Sequence, residues 1–268
     1  MNSDWLVPQW PAPGHVHAVF TTRAGGQSAA PFDSLNLGDH VGDQPLDVAF
    51  NRATLHQAIG AQPVFLSQVH GTHVAWLSDT SLDGTQADAC MTDQPGVACT
   101  IMVADCLPVL LTNTQGTLVA AVHAGWRSLA GQGGVGILEL ACKPFRPLVQ
   151  VNSAQVAINF IAWLGPCIGP QKFEVGPDVM DAFVAHDPLS QSMFTPHTPG
   201  KWLANLQGLA RLRLAALGVT QVYGNDGSRD WCTVSNPSRF FSYRRDGVTG
   251  RMAASIWLDG SSPGLGHG

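Results

Sequence analysis

Residues 97–122, VACTIMVADCLPVLLTNTQGTLVAAV, decide the fold. Three apolar runs, Val97 to Val103, Leu107 to Thr112 and Leu118 to Val122, read as strands that follow one another without a helix between them. Further runs of the same kind lie upstream at His15 to Thr22, Val64 to Val69 and Val74 to Leu77, and downstream at Val156 to Leu164, Gln221 to Tyr223 and Ala253 to Trp257. Pro45, followed by Val48, Leu55 and Ile59 and closed by Gly60, predicts one amphipathic helix begun by proline and ended by glycine. Helical character returns at Ile137 to Ala141 and Val175 to Ala185. The longest helix is expected over Trp202 to Leu217, where Leu203, Leu206, Ala210, Leu214 and Leu217 step by three and four. Strands in runs, with no regular βαβα alternation, predict an α+β protein of mixed sheets flanked by helices.

A chain of 268 residues that is 45% hydrophobic and 12% charged is long enough and apolar enough for one large core. One domain over 1–258 is therefore expected, with 259–268, rich in Gly, Ser and Pro, as a flexible tail. The net charge of −5, with no basic patch, argues against a nucleic-acid partner. No cationic segment leads into an apolar run and no stretch approaches 18 uninterrupted apolar residues, so a cytoplasmic protein without membrane contact is expected. A monomer is the default. Six cysteines in a chain of this length do not make a disulfide framework, and most are expected to be small buried hydrophobes.

Three phrases place a metal-ligating residue near a strand end: LSQVHGTHV with His70, MVADCLPVLL with Cys106 and LVAAVHAGWR with His123. Their separation is far wider than the close pairs of zinc fingers, so spacing alone leaves three readings open. The residues are satisfied histidines and a packed thiol, or Cys106 is a thiolate nucleophile activated by His123, or all three converge on a metal. In the last case two imidazoles and a thiolate suit Zn²⁺ or Cu²⁺ and leave a position open for catalysis. Gly71 and Gly125 beside the histidines give the backbone room to turn. Asp105, next to Cys106, faces the other way along a strand and reads as a hydrogen-bond anchor, while His73 ranks below the trio.

Arginines are the second feature, because planar guanidinium groups hold phosphate by paired hydrogen bonds. The candidates are Arg23, Arg127, Arg244, Arg245 and Arg251. Arg127 is best placed, four residues after His123 and just before Ser128, a possible helix cap. Surface solvation is the ordinary alternative for each.

Taken together, FTTRAGG, SLNLGDHVGD, SQVHGTHV, ADAC, ADCLPVLL, AAVHAGWR, LGPCIGP, FEVG and FFSYRRDGVTGRMA resemble the laccase-domain (YfiH/FAMIN-type) family, formerly called polyphenol oxidases and now described as purine nucleoside phosphorylases. The match runs from about Phe20 to Trp257. The resemblance implies a fold similar to toxin deamidases and YfiH-like cysteine hydrolases, and carries the family's metal ligands to His70, Cys106 and His123, which would also be the catalytic residues. It implies phosphorolysis of adenosine, inosine and methylthioadenosine and deamination of adenosine, with purine nucleoside and phosphate as the small-molecule partners. Asn36 within SLNLGDHVGD joins Arg23, Arg127 and Arg244 as the expected substrate and phosphate contacts. Amide cleavage in a peptidoglycan precursor by Cys106 and His123 is the runner-up, and copper-dependent phenol oxidation ranks below it. One departure follows HAGWR, where SLAGQGGVG sets Gly131, Gly133, Gly134 and Gly136 where a helix would begin.

Overall fold

A computed structural model describes residues 3–145 and 160–260. In chain order the elements are β1 (Val16–Phe20), α1 (Pro45–Ile59), β2 (Gln62–Phe65), β3 (Val74–Trp76), β4 (Ala89–Thr92), β5 (Val97–Val103), β6 (Leu107–Asn113) and β7 (Val119–Ala124). There follow α2 (Trp126–Ala130), α3 (Ile137–Cys142), β8 (Phe160–Leu164), β9 (Glu174–Val175), α4 (Pro177–Val184), β10 (Phe194–Pro196) and β11 (Trp202–Ala204). The last are α5 (Leu206–Ala216), β12 (Gln221–Gly224), α6 (Tyr243–Asp246) and β13 (Met252–Leu258). The protein is α+β, with one sheet ordered β1-β13-β5-β2, a second ordered β12-β8-β6-β7-β4-β3 and a small third ordered β10-β11-β9. Both large sheets mix parallel and antiparallel neighbours.

The two-residue period of a strand sorts side chains into layers. On β5, Val97, Cys99, Ile101 and Val103 face the second sheet, where Cys90, Leu110, Val119, Ala121 and Trp163 meet them. Ala98 and Met102, on the other side of β5, pack with Leu55 and Ile59 of α1. The outer face of the second sheet, including Val109, Leu111, Ala120 and Val122, is covered by Leu129, Ile137, Phe183, Leu209 and Leu214 from α2 to α5. The order is helix, sheet, sheet, helices. A strand between two apolar layers has no solvated face, which is why β5 and β7 read as almost wholly apolar runs broken only by Thr100 and His123.

Two expectations are corrected. Trp202–Ala204 is strand, not the first turn of the longest helix: it pairs with β10 and β9, and Asn205 then caps α5 by accepting from the Gly208 N–H at 2.7 Å. Among the described residues the longest helix is α1, with 15 residues against 11 in α5. Ser128 is not a cap either, since α2 begins at Trp126 with Gly125 at its N-cap. Of the expected strand Val156 to Leu164, 156–159 lie outside the described residues, as do 261–268 of the expected tail.

The glycines after HAGWR do not displace a helix start; they form the turn between α2 and α3. Gly131 ends α2 at φ 67°, and a Cβ there would overlap the Val135 carbonyl oxygen. Gly131→Ala is expected to destabilise the chain by about 2–4 kcal/mol, read as a lowered urea midpoint with an unchanged slope. Arg213 braces the same turn through Glu139 at 2.9 Å and the Gly134 carbonyl at 2.6 Å.

Candidate metal centre and cavity

The three-residue link from β5 to β6, Ala104 to Cys106, crosses from one sheet to the other and places Cys106 at the end of the inter-sheet core. Its sharp turn comes from Asp105 at φ 94°, an uncommon conformation for a residue with a Cβ. The turn is tied down by the side chain, whose carboxylate accepts from the Thr233 hydroxyl at 2.5 Å and the Arg244 N–H at 2.6 Å. Its carbonyl accepts from the Ile168 N–H at 2.9 Å. Asp105 is thus a hydrogen-bond anchor in the cavity wall, tying the Arg244 backbone and Thr233 to the turn that carries Cys106.

His123 lies within β7, opposite Pro108 in the β6 register, and is buried. His70 comes from the loop between β2 and β3 at φ 59° and is exposed toward the cavity. Asp88, which sequence reasoning passed over, joins the two. Its fully buried carboxylate accepts from the N–H groups of Val69, His70 and Gly71 at 3.2, 2.9 and 2.6 Å and from Nδ1 of His123 at 2.8 Å. Burial alone would raise its pKa, but the His123 hydrogen bond, the His123 charge and the backbone donors hold it below the usual carboxylate value.

The ligand atoms of His70, Cys106 and His123 all lie within 4.8 Å of one another. Cys106 Sγ is 3.6 Å from His70 Nε2, and the two imidazoles meet edge to face with centroids 4.8 Å apart. Two ligands of a tetrahedral zinc, at about 2.3 Å for sulfur and about 2.0–2.1 Å for nitrogen, are themselves separated by about 3.6 Å. The donor set fits a metal in a further respect. Asp88 occupies Nδ1 of His123 and leaves Nε2 for coordination, the usual carboxylate–histidine support of a metal site. Burial opposes the Cys106 thiolate, yet the His123 charge and hydrogen bonds from His123 and His70 pull its pKa down from 9.0 to about 6. His123 moves the opposite way: burial lowers it, and Cys106 and Asp88 more than reverse this.

A Cβ on Gly125 would sit 2.9 Å from His70 Cδ2 and 3.2 Å from Cys106 Sγ. Gly125→Ala is therefore expected to reduce metal affinity by at least about tenfold, the scale of disturbing a ligand's support. Metal content after dialysis against a weak chelator measures it, and the melting temperature should stay near that of the wild type.

A cavity of about 580 Å³ opens over the centre. Trp126, Phe173 and Tyr243 give it aromatic walls, and Arg127, Arg244 and Arg251 bring positive charge. Arg127 lies over the Trp126 ring at 4.3 Å, and Arg244 over Phe173 at 5.5 Å while its Nη1 donates to the Glu174 carbonyl at 3.1 Å. Gln68 is pinned on both ends of its amide by the backbone of Met102. Arg23 and Asn36 are not among the lining residues. Arg23 holds Asp33 and the Pro237 carbonyl, and Asn36 is buried with its amide spent on Gly38, Asp43 and the Arg251 N–H. Arg245 is likewise engaged with Thr233, Phe240 and Asp246, and His73 bonds the Gln86 carbonyl away from the centre.

The architecture and the site define an α+β protein with a His–Cys–His centre under an arginine-bearing cavity. The chain belongs to the laccase-like family described as "Multi-copper polyphenol oxidoreductase laccase", whose model matches residues 17–259. It is 48% identical over 260 residues, 96% of this chain and 99% of the relative, to a Pseudomonas aeruginosa protein named purine nucleoside phosphorylase PA4543. Identity to the Escherichia coli protein named purine nucleoside phosphorylase YfiH is 47% over 258 residues, covering 96% and 99%. The crystal structure of Neisseria meningitidis NMB0706 superposes with a TM-score of 0.86 at 46% identity, covering 96% of this chain and 100% of that one. Among the described residues no helix is long and apolar enough to cross a membrane.

Proposed function

We propose that this protein is a metal-dependent purine nucleoside phosphorylase that cleaves adenosine, inosine and methylthioadenosine, and that the same centre deaminates adenosine. The observation that carries the reading is one cavity holding three things such a reaction needs. It has a His–Cys–His donor set, aromatic walls for a planar base, and guanidinium groups for phosphate. Relatives at 47–48% identity that are named purine nucleoside phosphorylases support it.

In phosphorolysis a phosphate oxygen bonds to C1′ of the ribose as the bond from C1′ to N9 breaks. The electron pair of that bond goes to the base, and the proton of hydrogen phosphate ends on the base. Zn²⁺ or Cu²⁺ on His70, Cys106 and His123 would supply Lewis acidity and, for deamination, an acidified water. Asp88 keeps His123 in one tautomer and His70 in place. Arg127 and Arg244 attract the dianion, and Trp126 and Phe173 keep water from the base.

A second reading is favoured by one observation. Cys106, His123 and Asp88 form a chain of thiol, imidazole and carboxylate, as a cysteine hydrolase acting on a peptidoglycan-precursor amide would use. Multicopper phenol oxidation is disfavoured by the donors, since the described residues hold one His/Cys/Asp/Glu cluster rather than several. The test is chromatography of adenosine incubated with purified, metal-analysed protein, with and without phosphate. Phosphate-dependent adenine is expected, with phosphate-independent inosine as the deaminase product. Neither product from metal-loaded protein would overturn the reading in favour of the hydrolase.

A further inference from the structure

Four arginines of the described residues are neutralised by a carboxylate. Arg23, Arg52, Arg213 and Arg245 lie 3.1, 3.2, 2.9 and 2.7 Å from the carboxylates of Asp33, Asp83, Glu139 and Asp246. Arg251 differs. It is half-buried at the cavity wall, where Arg127 and Arg244 are exposed, although among the described residues none of the three has a carboxylate within salt-bridge distance. Burial disfavours its charge, which the Cys106 thiolate and the Asp105 carboxylate across the cavity offset only in part, so the group is held partly desolvated with no directly paired counter-ion.

Its position is fixed through both its backbone and its Nη1, as that of Arg244 is. The Arg251 N–H donates to the buried Asn36 Oδ1 at 2.8 Å, and its stem fills the space beside Gly38, where a Cβ would come within 2.7 Å of Arg251 Cγ. Nη1 donates back to the carbonyls of Thr249 and Gly250 at 3.0 and 3.1 Å, and Tyr243 presents its ring at 6.0 Å. With Nη1 used in this way, Nε and Nη2 make no hydrogen bond among the described residues. These two atoms form the side-on fork of a guanidinium, whose parallel N–H groups match two oxygens of a tetrahedral oxyanion.

We propose that Arg251 is the phosphate anchor: its free Nε and Nη2 take two oxygens of orthophosphate in the cavity beside the His70–Cys106–His123 centre, with Arg127 and Arg244 as outer cations. The assignment rests on the phosphorylase reading for its purpose, though the anion site is defined by Arg251 itself. Asn36, expected from sequence to touch substrate, then acts as a positioning residue through the Arg251 backbone.

The test is calorimetric titration of the metal-loaded protein with inorganic phosphate alone, followed by phosphate and adenosine kinetics, for wild type, Arg251→Lys and Arg251→Met. Metal content and melting temperature report that each variant is folded. Arg251→Lys keeps a charge but loses the fork, and is expected to weaken phosphate binding at least tenfold. It should raise the KM for phosphate equally while the KM for adenosine moves less than threefold. Arg251→Met is expected to show no phosphate heat. Undiminished phosphate binding in folded Arg251→Lys and Arg251→Met, or no phosphate binding by the wild type, would overturn the assignment. Phosphate binding that depends on Arg251, in a protein that gives no phosphate-dependent product, would leave the anion site standing and remove the phosphorylase reading.

Discussion

Asp88→Ala is expected to lower stability by about 3–5 kcal/mol and to empty the metal centre. The magnitude follows from what one buried carboxylate does: it accepts three backbone N–H groups and the His123 Nδ1–H. Alanine leaves those donors without a partner, and buried unsatisfied donors cost more than the mean hydrogen bond contributes. It also removes the clasp that holds His70 at φ 59°, so the segment relaxes and the imidazole leaves the centre. Asp88→Asn separates the effects. It preserves shape but replaces one acceptor oxygen by an amide donor, and is expected to fold while binding metal about 10–100-fold more weakly. Urea unfolding and metal analysis of both variants measure this. An Asp88→Ala protein that is as stable and as metal-loaded as the wild type would show that Asp88 merely fills space.

Cys106→Ala is expected to abolish phosphate-dependent adenine release, by roughly a thousandfold or more, together with stoichiometric metal binding. The thiolate is the soft and anionic member of the donor set, and its low pKa makes it available at neutral pH. The fold should survive, because Cys106 is half-buried at the end of the core rather than within it. His73→Ala is the matched comparison. Its imidazole bonds the Gln86 carbonyl and touches neither centre nor cavity lining, so turnover and metal content should hold. A Cys106→Ala protein with near-normal turnover would remove the centre from the reaction.

Strands β5, β6 and β7 were legible because they are buried on both faces and so carry mainly apolar runs. Helix α1 was legible from Pro45 at its start and Gly60, at φ 71°, after its end. β4 was not, since Ala89–Thr92 is four residues with no valine or isoleucine and takes its strand character from β3 and β7. The Trp202 to Leu217 stripe misled for the opposite reason. Leu203 and Leu206 keep helical spacing across Asn205, and only the pairing partners in β9 and β10 reveal the break. In the site, His70, Cys106 and His123 each carry a recognisable residue type in a recognisable phrase, and the structure brings them together. Asp88 stands in the phrase ADAC, but an acid before a short strand looks like any turn residue until its four donors are seen. Guanidinium groups are harder still. Nothing local distinguishes Arg23, spent on Asp33 and Pro237, from Arg251, whose fork is free.

The central claim is that the His70–Cys106–His123 centre, loaded with metal, performs phosphorolysis. Its most direct test is titration of metal-free protein with Zn²⁺ while adenine release from adenosine and phosphate is followed in each sample. Turnover rising in proportion to added metal and saturating at one equivalent per chain, in step with protection of Cys106 from alkylation, is the predicted result. Full phosphate-dependent turnover before any metal is added, or turnover that ignores the metal bound at Cys106, would contradict it.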